Sequence, residues 1–184
     1  NFKEFFDDQI STACCVILSR TQLVSEDKLN EDVSIIRELN PDVRIITTPW
    51  DELSGEQILK VMEDGNDMVK ELLEEEEICP VCGGHHDHEH HHHHHADDVF
   101  TSWGKETPHK FERAKLEEVL KKFVDSDNIL RSKGMVESTD GTWLYFDMVP
   151  GEYEIREGEP DYTGRIVVIG TEIHEDELLK TFGL

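Results

Sequence analysis

Positive charge is scarce in this chain. Its 184 residues hold 18 lysines and arginines against 42 aspartates and glutamates, a formal net charge of −24. Such an acidic surface repels phosphate backbones and anionic lipid, so neither nucleic acid nor membrane is an expected partner. Long hydrophobic runs are missing too. No apolar stretch approaches the roughly 18 residues that span a bilayer, and the opening residues do not read as a secretory signal. Cysteine is sparse, with four residues in two pairs, Cys14-Cys15 and Cys79–Cys82. Adjacent cysteines bridge one another poorly, and Cys14-Cys15 sits in an apolar run, so a reducing, cytoplasmic compartment is expected. No Ser/His/Asp or Cys/His nucleophile arrangement emerges, which leaves acyl transfer and proteolysis with little support. At this length the chain is one large domain or two small ones.

What is abundant is histidine, concentrated in one place. Nine of the eleven residues from His85 to His95 are histidine: His85, His86, His88, His90, His91, His92, His93, His94 and His95. They follow directly on Cys79-Pro80-Val81-Cys82-Gly83-Gly84. Two cysteines separated by two residues can address one metal ion, and the glycines let the backbone turn around it. Imidazole, with an ordinary pKa of about 6.5, is mostly neutral at cytosolic pH and has a lone pair to give. Asp87 and Glu89 add harder oxygen donors. Thiolate and imidazole favour zinc, with cobalt and nickel open. Six consecutive histidines, His90 to His95, also have the composition of a purification tag. A tag is normally terminal, however, and neither the mixed stretch before it nor the CPVC pair is tag chemistry. Two arrangements stay open: one closed tetrahedral site, or loose buffering of several ions.

Along the chain, apolar spacing predicts a helix over Phe2 to Thr12 and a covered strand over Cys14 to Leu18. Ser25 reads as the cap of a helix running to about Leu39, which Asn40-Pro41-Asp42 stops. A second strand, Val43 to Thr47, precedes a helix capped by Ser54 and running to about Met62. Strand, helix and strand with short links predict parallel pairing through a right-handed crossover. From Asp64 the sequence turns polar and acidic, through Glu74 to Glu77 and the Cys/His segment, as in a solvated linker. Beyond it, a strand over Val99 to Trp103 and a helix over Pro108 to Val124 are expected. Strands follow over Ile129 to Glu137, Thr142 to Val149 and Arg165 to Ile169, then a helix from about Glu175 to Phe182. Asp140-Gly141 marks a hairpin. The expected fold is thus a partial α/β sheet followed by a smaller α+β domain with a largely antiparallel sheet.

Trp50, Trp103 and Trp143 are expected in core or interface packing, Arg131 and Lys133 in pairs with carboxylates, and His109 and His174 in structural roles. Several segments carry a resemblance. Arg131-Ser132-Lys133-Gly134, the following hairpin and Gly164-Arg165-Ile166-Val167-Val168-Ile169-Gly170 resemble the C-terminal domain of the CobW-like GTPases. Asp98-Val99-Phe100-Thr101-Ser102-Trp103-Gly104 is similar to the same family, as are Arg37-Glu38-Leu39-Asn40-Pro41 and Arg44-Ile45-Ile46-Thr47-Thr48. The resemblance covers essentially the whole chain. It implies a P-loop GTPase portion over 1–73, a metal-binding linker over 74–97 and a CobW C-terminal-like domain over 98–184. It also implies a GTP-dependent metallochaperone or metal-insertion factor, with a client metalloprotein as a further partner.

The chain departs from that family in what it lacks. The GxxxxGK(S/T) phosphate loop, the CxCC metal motif and the acidic magnesium ligands between them do not occur in it. Without backbone amides and a lysine on the phosphates, phosphoryl transfer has no electrostatic support. The chain is therefore expected to be the C-terminal part of a longer protein, inactive alone, with GTP and magnesium bound only when intact. Ser19-Arg20-Thr21-Gln22 follows the first strand, where the family places its guanine-reading (N/T)KxD motif. The resemblance assigns Ser19, Arg20 and Gln22, with Thr47, to nucleotide contact. Gln22 replaces an aspartate that accepts from two guanine N–H groups; its amide accepts with one oxygen and also carries donors. Read without the resemblance, these four residues are a polar loop at a strand end.

Overall fold

The structure is a computed structural model that describes residues 2–63 and 100–184. The first half begins with helix α1 (Phe2–Thr12) and strand β1 (Cys15–Ile17). Helix α2 (Glu26–Leu39), strand β2 (Arg44–Ile46) and helix α3 (Gly55–Glu63) follow. The Ser25 side chain accepts from the Lys28 amide, satisfying a donor that the first turn of α2 leaves open. Before α3, Ser54 accepts from the Gln57 amide while the Gln57 side chain accepts from the Ser54 amide, a reciprocal capping box. β1 and β2 pair in parallel, as the crossover required. Ile36, Val43 and Ile45 form one small core.

The second half is a five-stranded sheet in the order β3-β7-β4-β5-β6, every pairing antiparallel. Its strands are β3 (Thr101–Thr107), β4 (Ile129–Glu137), β5 (Trp143–Val149), β6 (Glu152–Gly158) and β7 (Gly164–Gly170). Helices α4 (Arg113–Val124) and α5 (Glu175–Phe182) complete it. Alternation sorts the strand residues: Leu144, Phe146 and Met148 of β5 join the helices' core, while Trp143 joins Met135 and Val167 in a separate cluster. Leu116 and Leu120 of α4 are fully buried against the first face. Phe182 of α5 meets Phe111 and Phe123 edge-on at centroid distances of 6.4 and 5.6 Å, a favoured aromatic geometry.

The structure departs most from the sequence expectation at two boundaries and one strand. The helix expected from Pro108 starts at Arg113, because Phe111 first bridges to Ser138 and its amide donates to the Glu137 carbonyl. Tertiary pairing there overrides proline's preference for a first turn. The strand expected to end at Trp103 runs on to Thr107, since β7 supplies partners along its whole length. β6, absent from the sequence reading, is a charged edge strand whose Glu152, Glu154, Arg156 and Glu157 hide the usual apolar signal. The Asp140-Gly141 hairpin forms as expected. Gly141 takes a φ of 87°, and Asp140 accepts from the Thr142 amide.

Gly134 in β4 shows how closely the sheet is packed. A Cβ there would lie 2.5 Å from the Arg165 carbonyl oxygen and 2.6 Å from the Phe146 ring. Gly134→Ala is expected to destabilise the protein by about 1–3 kcal/mol, the usual cost of overpacking. Gly55→Ala, where a Cβ meets nothing within 4 Å, should stay within about 0.5 kcal/mol of wild type. Urea midpoints of the two variants check the contrast.

Candidate functional site

The two halves meet around one side chain. Tyr162, in the turn leading into β7, is 3% exposed and packs with Ile46, Leu53 and Val61 of the first half. A buried phenol needs a partner for its hydroxyl; Tyr162 donates to Glu106 of β3 at 2.5 Å. The other oxygen of Glu106 receives Arg37 from α2. Two guanidiniums lie over the Tyr162 ring, Arg44 at 5.8 Å and Arg165 at 5.0 Å. The Tyr162 carbonyl accepts from the amides of Thr47 and Thr48 at 2.9 and 3.1 Å. The Thr47 hydroxyl donates to that of Thr163 at 2.8 Å, and Gln57 donates to the Pro160 carbonyl at 2.8 Å. Burial, then the nearby Glu106 carboxylate, pushes the Tyr162 phenol far above its ordinary value.

Beside this junction lies a cavity of about 100 Å³. One water needs roughly 10–15 Å³ of such space, so the cavity takes several waters. Two residues assigned to nucleotide contact, Gln22 and Thr47, line it together with Thr21. The other two do not. Ser19 and Arg20 are exposed, and Arg20 holds a left-handed φ of 62° ahead of the 3-10 turn Thr21–Leu23. The second half contributes Lys110, Glu137 and Trp143. Lys110 pairs with Glu137 at 2.6 Å. Glu52 lines the same cavity; desolvation, then the fields of Glu137 and Asp51, raise its carboxyl above the usual range. Two polar atoms in lining residues are buried without a partner, Thr21 Oγ1 and Trp143 Nε1. Nothing in the sequence pointed to Trp143 or Glu52 as site residues; the β4–β5 pairing places Trp143 here, and Glu52 lies in the 3-10 turn Trp50–Glu52 that follows β2.

The metal-ligand candidates Cys79, Cys82 and His85 to His95 lie outside the described residues. Among the described residues no group of three or more His, Cys, Asp or Glu is placed to hold a metal ion, and no helix is long and apolar enough to cross a membrane. Cys14 and Cys15 are free thiols. Burial, with Cys14 beside it, raises the Cys15 thiol and keeps it protonated. His109 pairs with Glu26 at 2.5 Å and stands edge-on to Phe111. Arg131 pairs with Asp147 at 3.2 Å. Trp103 and Trp143 are buried, whereas Trp50 is 62% exposed and so lies outside the core.

Residues 100–183 match the family model of the cobalamin synthesis protein cobW C-terminal domain. That stretch contributes β3 to β7, α4 and α5. Two solved structures are similar to it. One is the crystal structure of the Zn(II)-bound YjiA GTPase from E. coli, at 17% identity and a TM-score of 0.42, covering 96% of this chain and 53% of that one. The other is a Zn(II)-bound triple mutant of YjiA GTPase, at 16% identity and a TM-score of 0.43, with the same coverage. The chain spans about half the length of both. No curated protein sequence matches it.

The raised phenol of Tyr162 ties stability to alkaline pH. The folded state holds this proton more tightly than the unfolded chain, where the ordinary value is 10.0. The contribution is therefore complete below about pH 10 and is lost as pH rises beyond it, at up to about 1.4 kcal/mol per pH unit. Tyr162→Phe should cost about 1–3 kcal/mol at neutral pH, because Glu106 loses a donor. The variant should also lose stability less steeply above about pH 10. Urea titrations of both proteins on either side of that pH measure the two effects.

Proposed function

We propose that this chain is the C-terminal part of a cytoplasmic, GTP-dependent metallochaperone or metal-insertion protein. It would capture a divalent transition metal, zinc first, on the segment from Cys79 to His95. The observation that carries this reading is the CobW C-terminal domain over 100–183, directly following that thiol and imidazole cluster. Cys79 and Cys82 supply two soft, charged ligands and the histidines complete the shell, a donor set that suits zinc in a tetrahedral site. Cobalt and nickel accept the same donors, and availability decides among close affinities. The surrounding carboxylates raise the local cation concentration.

Nucleotide state in the intact protein would decide whether the metal is held or passed to a client metalloprotein. The present chain keeps only the base-reading edge, Ser19, Arg20 and Gln22, beside Thr47. Guanine bound there leaves the triphosphate uncompensated and magnesium without a protein ligand. That Gln22 and Thr47 line one cavity supports this reading. The chain alone should release no phosphate from GTP above background, and a sensitive phosphate-release assay measures this. A metal-storing module without switching is the second reading, favoured by the length of the histidine run; it predicts several weakly held ions per chain.

The ligand assignment has a direct test. Changing both Cys79 and Cys82 to Ser should abolish tight zinc binding in competition with a chelator while weak histidine binding remains. Each thiol loses its proton on binding, so zinc uptake should release protons and weaken as pH falls. Unchanged tight affinity in the double variant would remove the two thiolates from the site.

A further inference from the structure

Of the two edges of the five-stranded sheet, one is defended by charge and the other is not. β6 is charged at Glu152, Glu154, Arg156 and Glu157, the usual protection of a free edge. β3, at the opposite edge, carries only Lys105 and Glu106, and Glu106 is engaged by Tyr162 and Arg37. Its register with β7 is unbroken from Thr101 to Thr107. Every second residue of β3 therefore directs its N–H and C=O away from the sheet, and no described strand receives them. Gly104, at the middle of the strand, is exposed. In a strand interior, glycine points to a bulge or to another backbone lying close, and the continuous register excludes the bulge.

A groove of about 1050 Å³ runs along this edge, more than the roughly 300–1,000 Å³ of a small-molecule pocket. Residues 104–108 form its floor, α2 one wall and α5 the other. Glu106 meets Arg37 of α2, whereas the Trp103 ring stacks on Phe182 of α5 at 6.2 Å. Residues three apart on a strand face opposite ways, so the two helices flank opposite faces of the sheet and leave the edge between them. The charge of the lining is unbalanced. Six carboxylates, those of Glu26, Asp27, Glu38, Asp42, Glu106 and Glu175, stand against two permanent cations, Arg37 and Lys105. Leu179 of α5 and Leu184 just beyond it add apolar surface on the other side.

We propose that this groove docks an extended, basic segment of a partner protein, which adds to β3 as a further strand. The β3 backbone supplies hydrogen bonds that any sequence can use, and the walls select the side chains. Alternate residues of an added strand point to opposite walls. Those toward α2 meet Asp27 and Glu38 and are lysine or arginine; those toward α5 meet Leu179 and Leu184 and are apolar. The seven residues of β3 span about 23 Å at roughly 3.3 Å each, which sets the length of the segment. A second copy of this chain, at a net charge of −24, is repelled by so acidic a groove. Such docking requires neither the metal site nor the nucleotide.

The probe is an end-capped seven-residue peptide alternating lysine and valine, titrated into the full ¹⁵N-labelled chain. It should bind saturably, shift β3 amide signals, slow their exchange with solvent, and bind more weakly as salt rises. Its glutamate–valine counterpart should bind at least about tenfold more weakly. Methylating the peptide amides at alternate residues blocks one edge of the added strand. One of the two methylation patterns should therefore weaken binding about tenfold or more, and the other little. Asp27→Asn combined with Glu38→Gln should weaken the lysine peptide about tenfold; both side chains are exposed, so the fold is kept. Binding that leaves β3 unmoved, or that neither methylation pattern weakens, would place the peptide elsewhere and overturn the proposal. Equal affinity for the glutamate peptide, or no binding at millimolar peptide, overturns it as well. So do β3 shifts that grow with protein concentration alone, which would make a second copy the occupant.

Discussion

The burial of Tyr162 inside the first half is the contact on which the joined structure depends. A large aromatic side chain from the turn before β7 completes a cluster that Ile46, Leu53 and Val61 would otherwise leave open. Burying it fully is worth roughly 1.5–3 kcal/mol. The carbonyl of the same residue accepts from the two amides that follow β2, so backbone and side chain fix the approach together. Glu106 closes the arrangement by receiving both the phenol and Arg37. Removing the carboxylate would take the acceptor from Arg37 Nη2 and from the Tyr162 hydroxyl in a half-buried place, where the loss exceeds that of a surface ion pair, although Arg37 Nη1 keeps the Pro41 and Val43 carbonyls.

From that junction the candidate pocket follows. Thr47 and Thr48 are held by the second half, which sets the loop between Thr21 and Leu23 against the end of the β4–β5 hairpin. Arg20 takes a left-handed conformation that a side chain seldom adopts, and such backbone is kept where its surroundings over-determine it. The CobW-type sheet therefore does more than extend the chain. It positions the loop that the family resemblance associates with the base.

Much of the fold was legible because periodicity and punctuation agreed. Ser25 and Ser54 announced two helices by cap chemistry, and Asp140-Gly141 fixed the central hairpin. What stayed hidden had no local signal. β6 alternates charged residues at a sheet edge, and Pro108 mimics a helix start that the Phe111 bridge forbids. Of the cavity's lining, Gln22 and Thr47 are singled out through the resemblance, whereas Trp143 is joined to them only by tertiary register, which single-residue chemistry does not encode.

The metal reading depends on two thiolates and a run of imidazoles sharing one ion, a distinction that bond lengths resolve. X-ray absorption at the zinc edge of the zinc-loaded chain separates sulfur at about 2.3 Å from nitrogen at about 2.0–2.1 Å. Capture by Cys79, Cys82 and the histidines together predicts a mixed shell, with two sulfur and two nitrogen neighbours at one equivalent of zinc. A first shell made only of nitrogen and oxygen would contradict it and leave the histidine run as a buffer.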